Sequence, residues 1–466
     1  MEFEEKQPGG GTSRNRGVKA IVGLAGLAAV ILIVLALTRG QAVEASSNVV
    51  EPLATPLDSL LEIPPPLPEP EESEPAVEEL DYVESAYEEL EPYELPPLGE
   101  NVFPSERAPL VPKPDVVRGI YLNAWASGSA RKMERMIELA RRTEINSFVM
   151  DVKDVSGYVS YRTGVAIARQ IGADQDIRIR DIRATLARLR EEGIYPIARI
   201  VVFKDELLAR RRPDLAIQRA DGSVWRDHNG ELWVDAYNKD VWDYNIALAR
   251  EAVMLGFSEV QWDYVRFPDV PSRYMRDAVY PARNGRTRED AIREFLAYSR
   301  EQLSDLGVPV TADVFGLTVS AGDDMGIGQR WAKMVDVTDV LLPMVYPSHF
   351  ARGSYGIPVP NADPYQTIKK AMEFAVRRTE GIEGAATIRP WLQDFSMGQP
   401  PYGPAEVRAQ IQATYDAGIQ EWILWNPGSN YTEGALATAD GVPPDLPIPV
   451  PDYAQSDSLP VPAVEP

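Results

Sequence analysis

The sequence predicts an α/β fold: a closed (β/α)8 barrel over residues 116–432, preceded by one transmembrane helix and a disordered acidic, proline-rich linker. Three observations lead to this prediction. Short β-rich runs alternate eight times with stretches of helical periodicity, a long uncharged run lies near the N-terminus, and acidic residues and prolines accumulate between the two. A chain of 466 residues exceeds the usual single-domain length, so these regions are treated separately.

The strand candidates are short apolar runs rich in β-branched and aromatic residues. They are residues 116–125, 146–154, 195–203, 259–267, 309–317, 339–347, 387–395 and 421–429. Helical periodicity between them is typical of parallel βα units. The clearest helices are expected at residues 130–142, 182–192, 241–255, 289–306 and 405–417.

Glycines mark the ends of several of these helices, as left-handed helix caps do. They are Gly193, Gly256, Gly307 and Gly418. Eight βα units in about 315 residues fit a barrel with insertions. An open doubly wound sheet is the alternative, and it is disfavoured because no strand is followed by a Gly-rich phosphate loop.

An uncharged run at residues 20–38 is long enough to cross the ~30 Å hydrocarbon layer of a membrane as a helix. Basic residues lie within residues 1–19 and an acidic segment follows the run, so residues 1–19 are expected in the cytoplasm and the barrel outside. A cleaved signal peptide, and hence a secreted protein, is the alternative. The run is longer than the usual ~7 to 15 residue signal core, which favours an uncleaved single-pass anchor in the cell membrane.

Charge and proline content set the remaining regions apart from the barrel. Residues 41–110 hold eighteen acidic residues and one basic residue, which with their prolines predicts a disordered linker over residues 39–115. Residues 433–466 are proline-rich and predict a disordered tail. Of the net charge of −23, only −4 belongs to residues 111–440. The barrel therefore has no basic stripe, and no nucleic-acid partner is expected.

The chain has no cysteine and two histidines, His228 and His349. Disulfides, thiolate metal sites and a cysteine nucleophile are thereby excluded, and so is a histidine-rich zinc site. We expect no metal and no cofactor.

Polar residues at the carboxyl ends of several strands are the main functional signal, because barrel interiors are normally apolar. Period-two alternation places Asp151 with Lys153, and Gln393 with Trp391, on the inward face. The residues expected to converge on the barrel mouth are Tyr121, Asn123, Trp125, Asp151, Lys153, Gln261, Asp263, Thr311, Asp313, Arg389, Trp391 and Gln393.

Asp263, at the end of the fourth strand, is the first catalytic candidate. A carboxylate there would serve as nucleophile or as stabiliser of an oxocarbenium-like transition state in glycoside cleavage. The structural alternative is an ion pair of Asp263 with Arg266 or Arg199, or a cap on the following loop. The site context favours the functional interpretation.

Asp313, on the fifth strand, is the candidate general acid that such chemistry also requires. The alternative for Asp313 is a hydrogen bond to neighbouring groups without catalysis. Asp151 is the rival acid, but Lys153 beside it is expected to keep Asp151 ionised, which suits a supporting role. Asp394 is expected on the opposite face of its strand from Trp391 and Gln393, which argues against a catalytic role unless the strand end bends.

Aromatic residues near the strand ends are expected to bind sugar rings through their flat faces. Ordinary packing is the alternative for each of them. The long segment 204–240 holds Trp225, Trp233 and Tyr237 and is expected either to wall the mouth or to pack on itself. The substrate-binding candidates besides Asn123, Asp151, Lys153 and Gln393 are Trp125, Arg266, Tyr346, His349, Trp391 and Trp425.

Five segments in fixed order, QWDYVRFPD, TADVFGL, PMVYPSHF, RPWLQDF and WILWNPGSNY, resemble a bacterial family of glycoside hydrolases with a TIM-barrel fold. The resemblance covers residues 117–432. It implies polysaccharide hydrolysis outside the cytoplasm, usually behind a signal or anchor segment.

The family is distantly similar to alpha-amylase-like barrels, in which a strand-four Asp is the nucleophile and a strand-five acid donates the proton. The resemblance implies these roles for Asp263 and Asp313. Two departures are visible: those enzymes have Glu on strand five, and they have Arg two residues before the nucleophile, where this chain has Gln261.

The expected function is therefore an exported, membrane-anchored glycoside hydrolase that cleaves a cell-envelope or environmental polysaccharide. The alternative is a non-catalytic carbohydrate-binding barrel displayed at the cell surface. In both cases the expected partners are a polysaccharide and, through the N-terminal helix, the membrane.

Overall fold

The computed structural model describes residue 95 and residues 97–451, and a parallel sheet forms their centre. Its strands are β1 (Arg118–Leu122), β2 (Ser147–Lys153), β3 (Tyr195–Val201), β4 (Glu259–Asp263), β5 (Val310–Phe315), β6 (Val340–Met344), β7 (Thr387–Ile388), β8 (Trp391–Gln393) and β9 (Trp422–Trp425).

The sheet closes on itself. Strands β1 to β6 pair in sequence order, β6 pairs with β7 and β8, β8 pairs with β9, and β9 returns to β1. The seventh of the eight positions is divided into β7 and β8 by Arg389 and Pro390, and a proline has no N–H for a strand ladder. The predicted (β/α)8 barrel is confirmed.

Helices cover the outside of the barrel. They are α1 (Ala124–Gly128), α2 (Ala130–Arg142), α3 (Ala166–Ile171), α4 (Ile182–Glu191), α5 (Glu206–Arg211), α6 (Lys239–Leu255), α7 (Arg288–Gln302), α8 (Trp331–Met334), α9 (Pro364–Thr379) and α10 (Pro404–Asp416). Side chains cap most of the longer ones: Ser129 caps α2, Asp181 caps α4, Thr287 caps α7 and Asp363 caps α9.

The glycines predicted to end helices have positive φ angles. Gly193, Gly256, Gly307 and Gly418 have φ of 68°, 121°, 62° and 85°. A side chain would strain the backbone at these angles, which is why glycine occupies them.

Alternation along each strand separates two apolar layers. Ile120, Phe148 and Ala198 point outward into the core shared with the helices. Tyr121, Val149 and other inward residues fill the barrel. Alternation therefore fixes which strand residues can reach the mouth.

An ion-pair network lies inside the barrel at the amino ends of the strands. Arg389 Nη1 lies 2.6 Å from Glu259 Oε1, and Arg389 Nε lies 2.8 Å from Glu421 Oε2. Arg389 and Glu259 are fully buried. This network forms the floor of the barrel, opposite the mouth, so the expectation that Arg389 lies at the mouth is wrong.

The described parts of the predicted linker and tail contact the barrel. The Val102 N–H donates to the Gly164 carbonyl, and the Ala108 N–H donates to the Met254 carbonyl. At the other end, Leu436 and Ala437 are buried, and the Glu144 N–H donates to the Ala437 carbonyl.

Within residues 97–451, no helix is both long enough and apolar enough to cross a membrane. The predicted anchor at residues 20–38, the cytoplasmic segment 1–19 and most of the linker lie outside the described residues, as do residues 452–466 of the tail.

Candidate active site

Asp263 ends β4 and points into the barrel mouth, where it is 6% exposed. Its Oδ1 accepts a hydrogen bond of 2.6 Å from the N–H of Tyr264. Tyr264 has φ of 50°, a left-handed conformation that a bulky residue adopts only under strain. Strain of this kind is concentrated at functional sites.

Arg199, at the end of β3, joins two carboxylates at this level of the barrel. Its Nε donates to Asp263 Oδ2 at 2.9 Å, and its Nη2 contacts the same oxygen. Its Nη1 donates to Asp151 Oδ1 at 2.5 Å. Arg199 is 5% exposed, so the charge-assisted hydrogen bonds form in a largely dry environment.

Asp151, on β2, also accepts a 2.6 Å hydrogen bond from the Tyr121 hydroxyl. Burial raises the pKa of Asp151, although Arg199 and Tyr121 act in the opposite direction. The geometry makes Asp151 a support that holds the Arg199 guanidinium in position.

Asp313, on β5, lies 1% exposed and has a different set of partners. Trp391 Nε1 donates to its Oδ1 at 2.6 Å, and Gln261 Nε2 lies 2.9 and 3.0 Å from its two oxygens. Burial and the nearby Asp263 charge raise the pKa of Asp313 well above its usual range. Asp313 is therefore the carboxyl group best suited to retain a proton.

The charge balance of the mouth supports the same assignment. Asp151, Asp263 and Asp313 are all buried, and among the described residues Arg199 is the cation paired with the first two. No described cation lies within ion-pair distance of Asp313. Like charges in a dry site cannot all ionise cheaply, so one proton is retained there.

Gln261, two residues before Asp263 on β4, leaves its Oε1 buried without a hydrogen-bond partner among the described residues. The two ends of an amide are assigned from their neighbours, and a rotated amide would offer Oε1 to a protonated Asp313. Gln261 can thus form a hydrogen bond with Asp313 whether Asp313 is ionised or protonated.

Aromatic rings form one wall of the mouth. Tyr121 stacks on Trp425 with ring centroids 4.1 Å apart, and Trp391 meets Trp425 edge to face at 5.5 Å. The guanidinium of Arg199 lies 5.5 Å from the Trp425 ring. Burial and the charges of Asp313 and Asp263 raise the pKa of Tyr346.

Three further predicted residues lie at or just after the carboxyl ends of β1, β6 and β8. Trp125 is 64% exposed, with Arg178 5.3 Å from its ring. His349 lies beside Tyr346, with ring centroids 5.2 Å apart, and burial lowers its pKa to about 4. Gln393 is fully buried and accepts hydrogen bonds from Ser348.

Three residues make contacts that were not expected. Asn123 caps α1, accepting from the Ala126 N–H, and donates to the Pro427 carbonyl. Arg266 pairs with Asp269 at 2.8 Å rather than with Asp263. Their polar groups are thus largely occupied by local structure.

Lys153 is the third of these residues. The expectation that it shares the inward face with Asp151 is wrong, because the register shifts between the two and pairs Lys153 with Ile200. Lys153 is instead fully buried against Asp205, with its Nζ 2.5 Å from Asp205 Oδ2, and 4.8 Å from the Tyr244 ring.

The long segment after β3 both packs on itself and borders the mouth. Trp225, Trp233 and Tyr237 are each no more than 2% exposed. Lys204 lies over the rings of Trp233 and Tyr264, the residue that follows Asp263. The segment therefore combines the two roles expected from the sequence: it packs its own aromatic residues, and it lies beside the mouth.

Arg199 is the main residue that the sequence analysis did not place in the site. It entered only as a structural partner of Asp263, although its alternation with Ile197 on β3 predicts an inward side chain. In the described part of the chain, no group of three or more His, Asp or Glu side chains is arranged to hold a metal ion.

Residues 119–431 match the model of the family described as "Putative glycosyl hydrolase domain". The match covers the whole barrel and more than half of the chain. The chain belongs to this family. The glycosyl hydrolase domain therefore spans β1 to β9, and the predicted enzyme class, a glycoside hydrolase, is confirmed. No curated protein matches the chain.

Several solved structures resemble the glycosyl hydrolase domain. A hypothetical protein from Ruminiclostridium thermocellum is 38% identical, with 45% of this chain and 98% of that chain covered and a TM-score of 0.38. The PgaB (BpsB) glycoside hydrolase domain from Bordetella bronchiseptica is 11% identical, with 69% and 99% covered and a TM-score of 0.48. The alpha-galactosidase TtGalA from Thermus thermophilus is 16% identical, with 70% and 60% covered and a TM-score of 0.41.

Proposed function

We propose that the glycosyl hydrolase domain cleaves a polysaccharide with Asp263 and Asp313 as its paired carboxyl groups. The observation that carries the proposal is the contrast between their environments. Arg199 binds Asp263 through two nitrogens, whereas Asp313 has no cationic partner among the described residues and is 1% exposed. Two carboxyl groups in contrasting environments divide the acid and base roles between them.

Asp313 is the proposed general acid. Its raised pKa keeps the proton available near neutral pH, and the proton is transferred to the glycosidic oxygen as the bond to the leaving sugar breaks. The carboxylate that remains has three N–H contacts, from Trp391 and Gln261, ready to stabilise its charge.

Asp263 is the proposed nucleophile or electrostatic stabiliser. Its negative charge faces the sugar as positive charge develops in the oxocarbenium-like transition state. Arg199 and the Tyr264 N–H fix its two oxygens, so the carboxylate is oriented before substrate binds. Arg199 supplies from β3 the guanidinium that alpha-amylase-like barrels place two residues before the nucleophile.

The sugar rings are proposed to lie against Trp425 in the mouth and Trp125 at its rim, and Tyr346 and His349 would bind hydroxyl groups. Trp125 combines high exposure with a position directly after β1, where barrel active sites form. The flat face of an exposed indole is available to pack against a sugar ring.

We further propose that the run at residues 20–38 anchors the protein in the membrane, with the barrel outside and a cell-envelope or environmental polysaccharide as substrate. The basic residues before the run and the acidic residues after it support this orientation.

The test is hydrolysis of a glycan panel, including peptidoglycan and α-glucans, by the full-length protein. Release of reducing ends from at least one member is expected. Saturable binding to a panel member without any product would contradict the proposal and favour the non-catalytic carbohydrate-binding barrel.

A further inference from the structure

A cavity of about 370 Å³ lies in the loops that follow β3, β4 and β5, on the same face of the barrel as Asp263. Its volume falls within the ~300–1,000 Å³ range of small-ligand sites. Its lining includes Tyr237, Tyr280, Arg283, Arg288 and Asp324, but none of the carboxyl groups of the mouth.

Two arginines of the lining have no acidic partner. Arg283 Nε donates to the Arg286 carbonyl at 3.1 Å, and Arg288 Nη1 donates to the Gly326 carbonyl at 2.7 Å. No described carboxylate lies within ion-pair distance of either guanidinium, whereas neighbouring Arg286 pairs with Glu294 at 2.8 Å. Arg283 and Arg288 therefore keep positive charge and free N–H groups at the cavity.

The acidic residue of the lining is already engaged. Asp324 Oδ1 accepts from the Gly326 N–H at 3.0 Å, and its Oδ2 accepts from the Gly328 N–H at 3.2 Å. The charged residues of the lining are two arginines and this one aspartate, so the lining carries a net charge of +1. The cavity is a local basic site in an acidic protein.

A hydroxyl group without a partner also lines the cavity. Tyr280 Oη is buried and makes no hydrogen bond among the described residues, and buried polar groups of this kind normally have one. Tyr237 meets Tyr280 edge to face at 5.5 Å. Tyr280, Arg283 and Arg288 line the same cavity. Burial raises the pKa of Tyr280, and the charges of Arg288 and Arg283 act in the opposite direction.

The cavity is connected to the active site through Phe267, four residues after Asp263. The Phe267 ring lies 5.1 Å from that of Tyr237 and 5.3 Å from that of Tyr280. Arg288 lies 5.7 Å from the same ring. A single buried aromatic side chain on the loop after Asp263 thus packs against two residues that line the cavity.

We propose that this cavity is an anion subsite that binds a negatively charged substituent, a carboxylate or a phosphate ester, on a sugar residue. The charges of Arg283 and Arg288 recognise the anion, and Tyr280 donates its unused hydroxyl hydrogen to it. The inference rests on the proposed function in one respect: the sugar belongs to the glycan that the mouth cleaves. It assigns that glycan to the acidic polysaccharides.

The test measures binding of glucuronate, glucose 6-phosphate and neutral glucose to the full-length protein by ligand-observed NMR. Glucuronate or glucose 6-phosphate is expected to bind at least about tenfold more tightly than glucose, and the stronger of the two identifies the anion. Equal affinity for all three sugars, or no binding by either acidic sugar, would overturn the proposal.

Matched variants locate the site. The variant R283Q/R288Q is expected to weaken binding of the acidic sugar about tenfold, and Tyr280→Phe to weaken it about threefold without a change of charge. R273Q/R276Q removes the same charge from exposed arginines of the same loop that do not line the cavity, and it is expected to change binding less than twofold. Equal losses in both double variants would show general electrostatic attraction and overturn the subsite.

Binding and catalysis are read separately. Asp263→Asn is expected to bind the acidic sugar as the unsubstituted protein does, because Asp263 does not line the cavity. Loss of acidic-sugar binding in R283Q/R288Q would therefore support the subsite even if no glycan of the panel were hydrolysed. Hydrolysis of neutral glycans without any acidic-sugar binding would overturn the subsite but leave the catalytic proposal standing.

Discussion

Arg199 on β3 binds Asp263 on β4 through two of its nitrogens, and both residues are buried. The sequence analysis treated this pair as an alternative to catalysis, yet the geometry is compatible with both. A guanidinium that holds one carboxylate oxygen orients the carboxylate, and the sugar can still approach from the mouth.

The environment of Asp313 predicts the pH dependence of activity. Burial and the charge of Asp263 raise the pKa of Asp313. The general acid carries its proton below this pKa and loses the proton above it, so kcat/KM is expected to fall on the alkaline side. In Asp313→Asn this alkaline limb should disappear. A pH profile measured with the same glycan on both proteins checks this, and an unchanged alkaline limb in the variant would exclude Asp313 as the acid.

Leaving-group chemistry gives a second test of Asp313. Asp313→Asn is expected to lower kcat about 10²- to 10⁴-fold on a glycan, whose leaving group needs a proton. On an aryl glycoside with an acidic phenol as leaving group the loss should be much smaller. Equal losses on both substrates would point to a structural role for Asp313.

The same pKa shift predicts a change in stability. A carboxyl group whose pKa is higher in the folded than in the unfolded protein stabilises the fold below the unfolded pKa of ~3.9, and this contribution is lost as the pH rises through the folded pKa. Asp313→Asn has no such titration. Urea unfolding of both proteins from pH 4 to pH 8 should therefore show the variant gaining stability relative to the unsubstituted protein, and a constant difference would contradict the raised pKa.

His349 is expected to remain neutral throughout the physiological range. Burial lowers its pKa to about 4. The imidazole in the folded protein therefore stays neutral as the pH falls through the ordinary histidine pKa of ~6.5. The chain has two histidines, which makes the measurement simple. NMR titration of the imidazole signals, with His349→Gln to assign them, should show no transition of His349 near pH 6.5, and one at that pH would refute its burial.

Lys153 is expected to stabilise the fold. It and Asp205 are fully buried, and removing one member of such a pair leaves the other charge uncompensated, at a cost of about 3–5 kcal/mol. Lys153→Met should lower the unfolding free energy by this amount, measured by urea denaturation. Adding Asp205→Asn should recover part of the loss, because the amide oxygen can still cap α5, and a further loss in the double variant would contradict the pairing.

The sequence predicted the barrel well because its signals are local and repeated. Eight apolar runs located every strand position, and the helix at residues 130–142 was predicted with its observed bounds. Strand ends were extended too far: residues 259–267 form a strand only up to Asp263. The left-handed turn at Tyr264 ends this strand, and no glycine marks it in the sequence.

The site was predicted less completely, because contacts between strands depend on register. Alternation placed Asp151, Asp263 and Asp313 correctly at one level, but it failed for Lys153, where a register shift turns the side chain outward. Alternation along a strand also does not show which arginine forms an ion pair with a given carboxylate. Arg266 is closer to Asp263 in sequence than Arg199 is, yet the neighbouring strand supplies the contact.

The central claim is that Asp263 performs chemistry, and one matched pair of variants tests it. Asp394 is a buried aspartate directly after β8, and its carboxylate accepts hydrogen bonds from Thr432, so Asp394→Asn controls for the loss of a buried carboxylate. On any glycan that the full-length protein hydrolyses, Asp263→Asn is expected to lower kcat by at least about 10³-fold with the fold retained by circular dichroism, and Asp394→Asn to retain activity. Full activity in a folded Asp263→Asn protein would contradict the account.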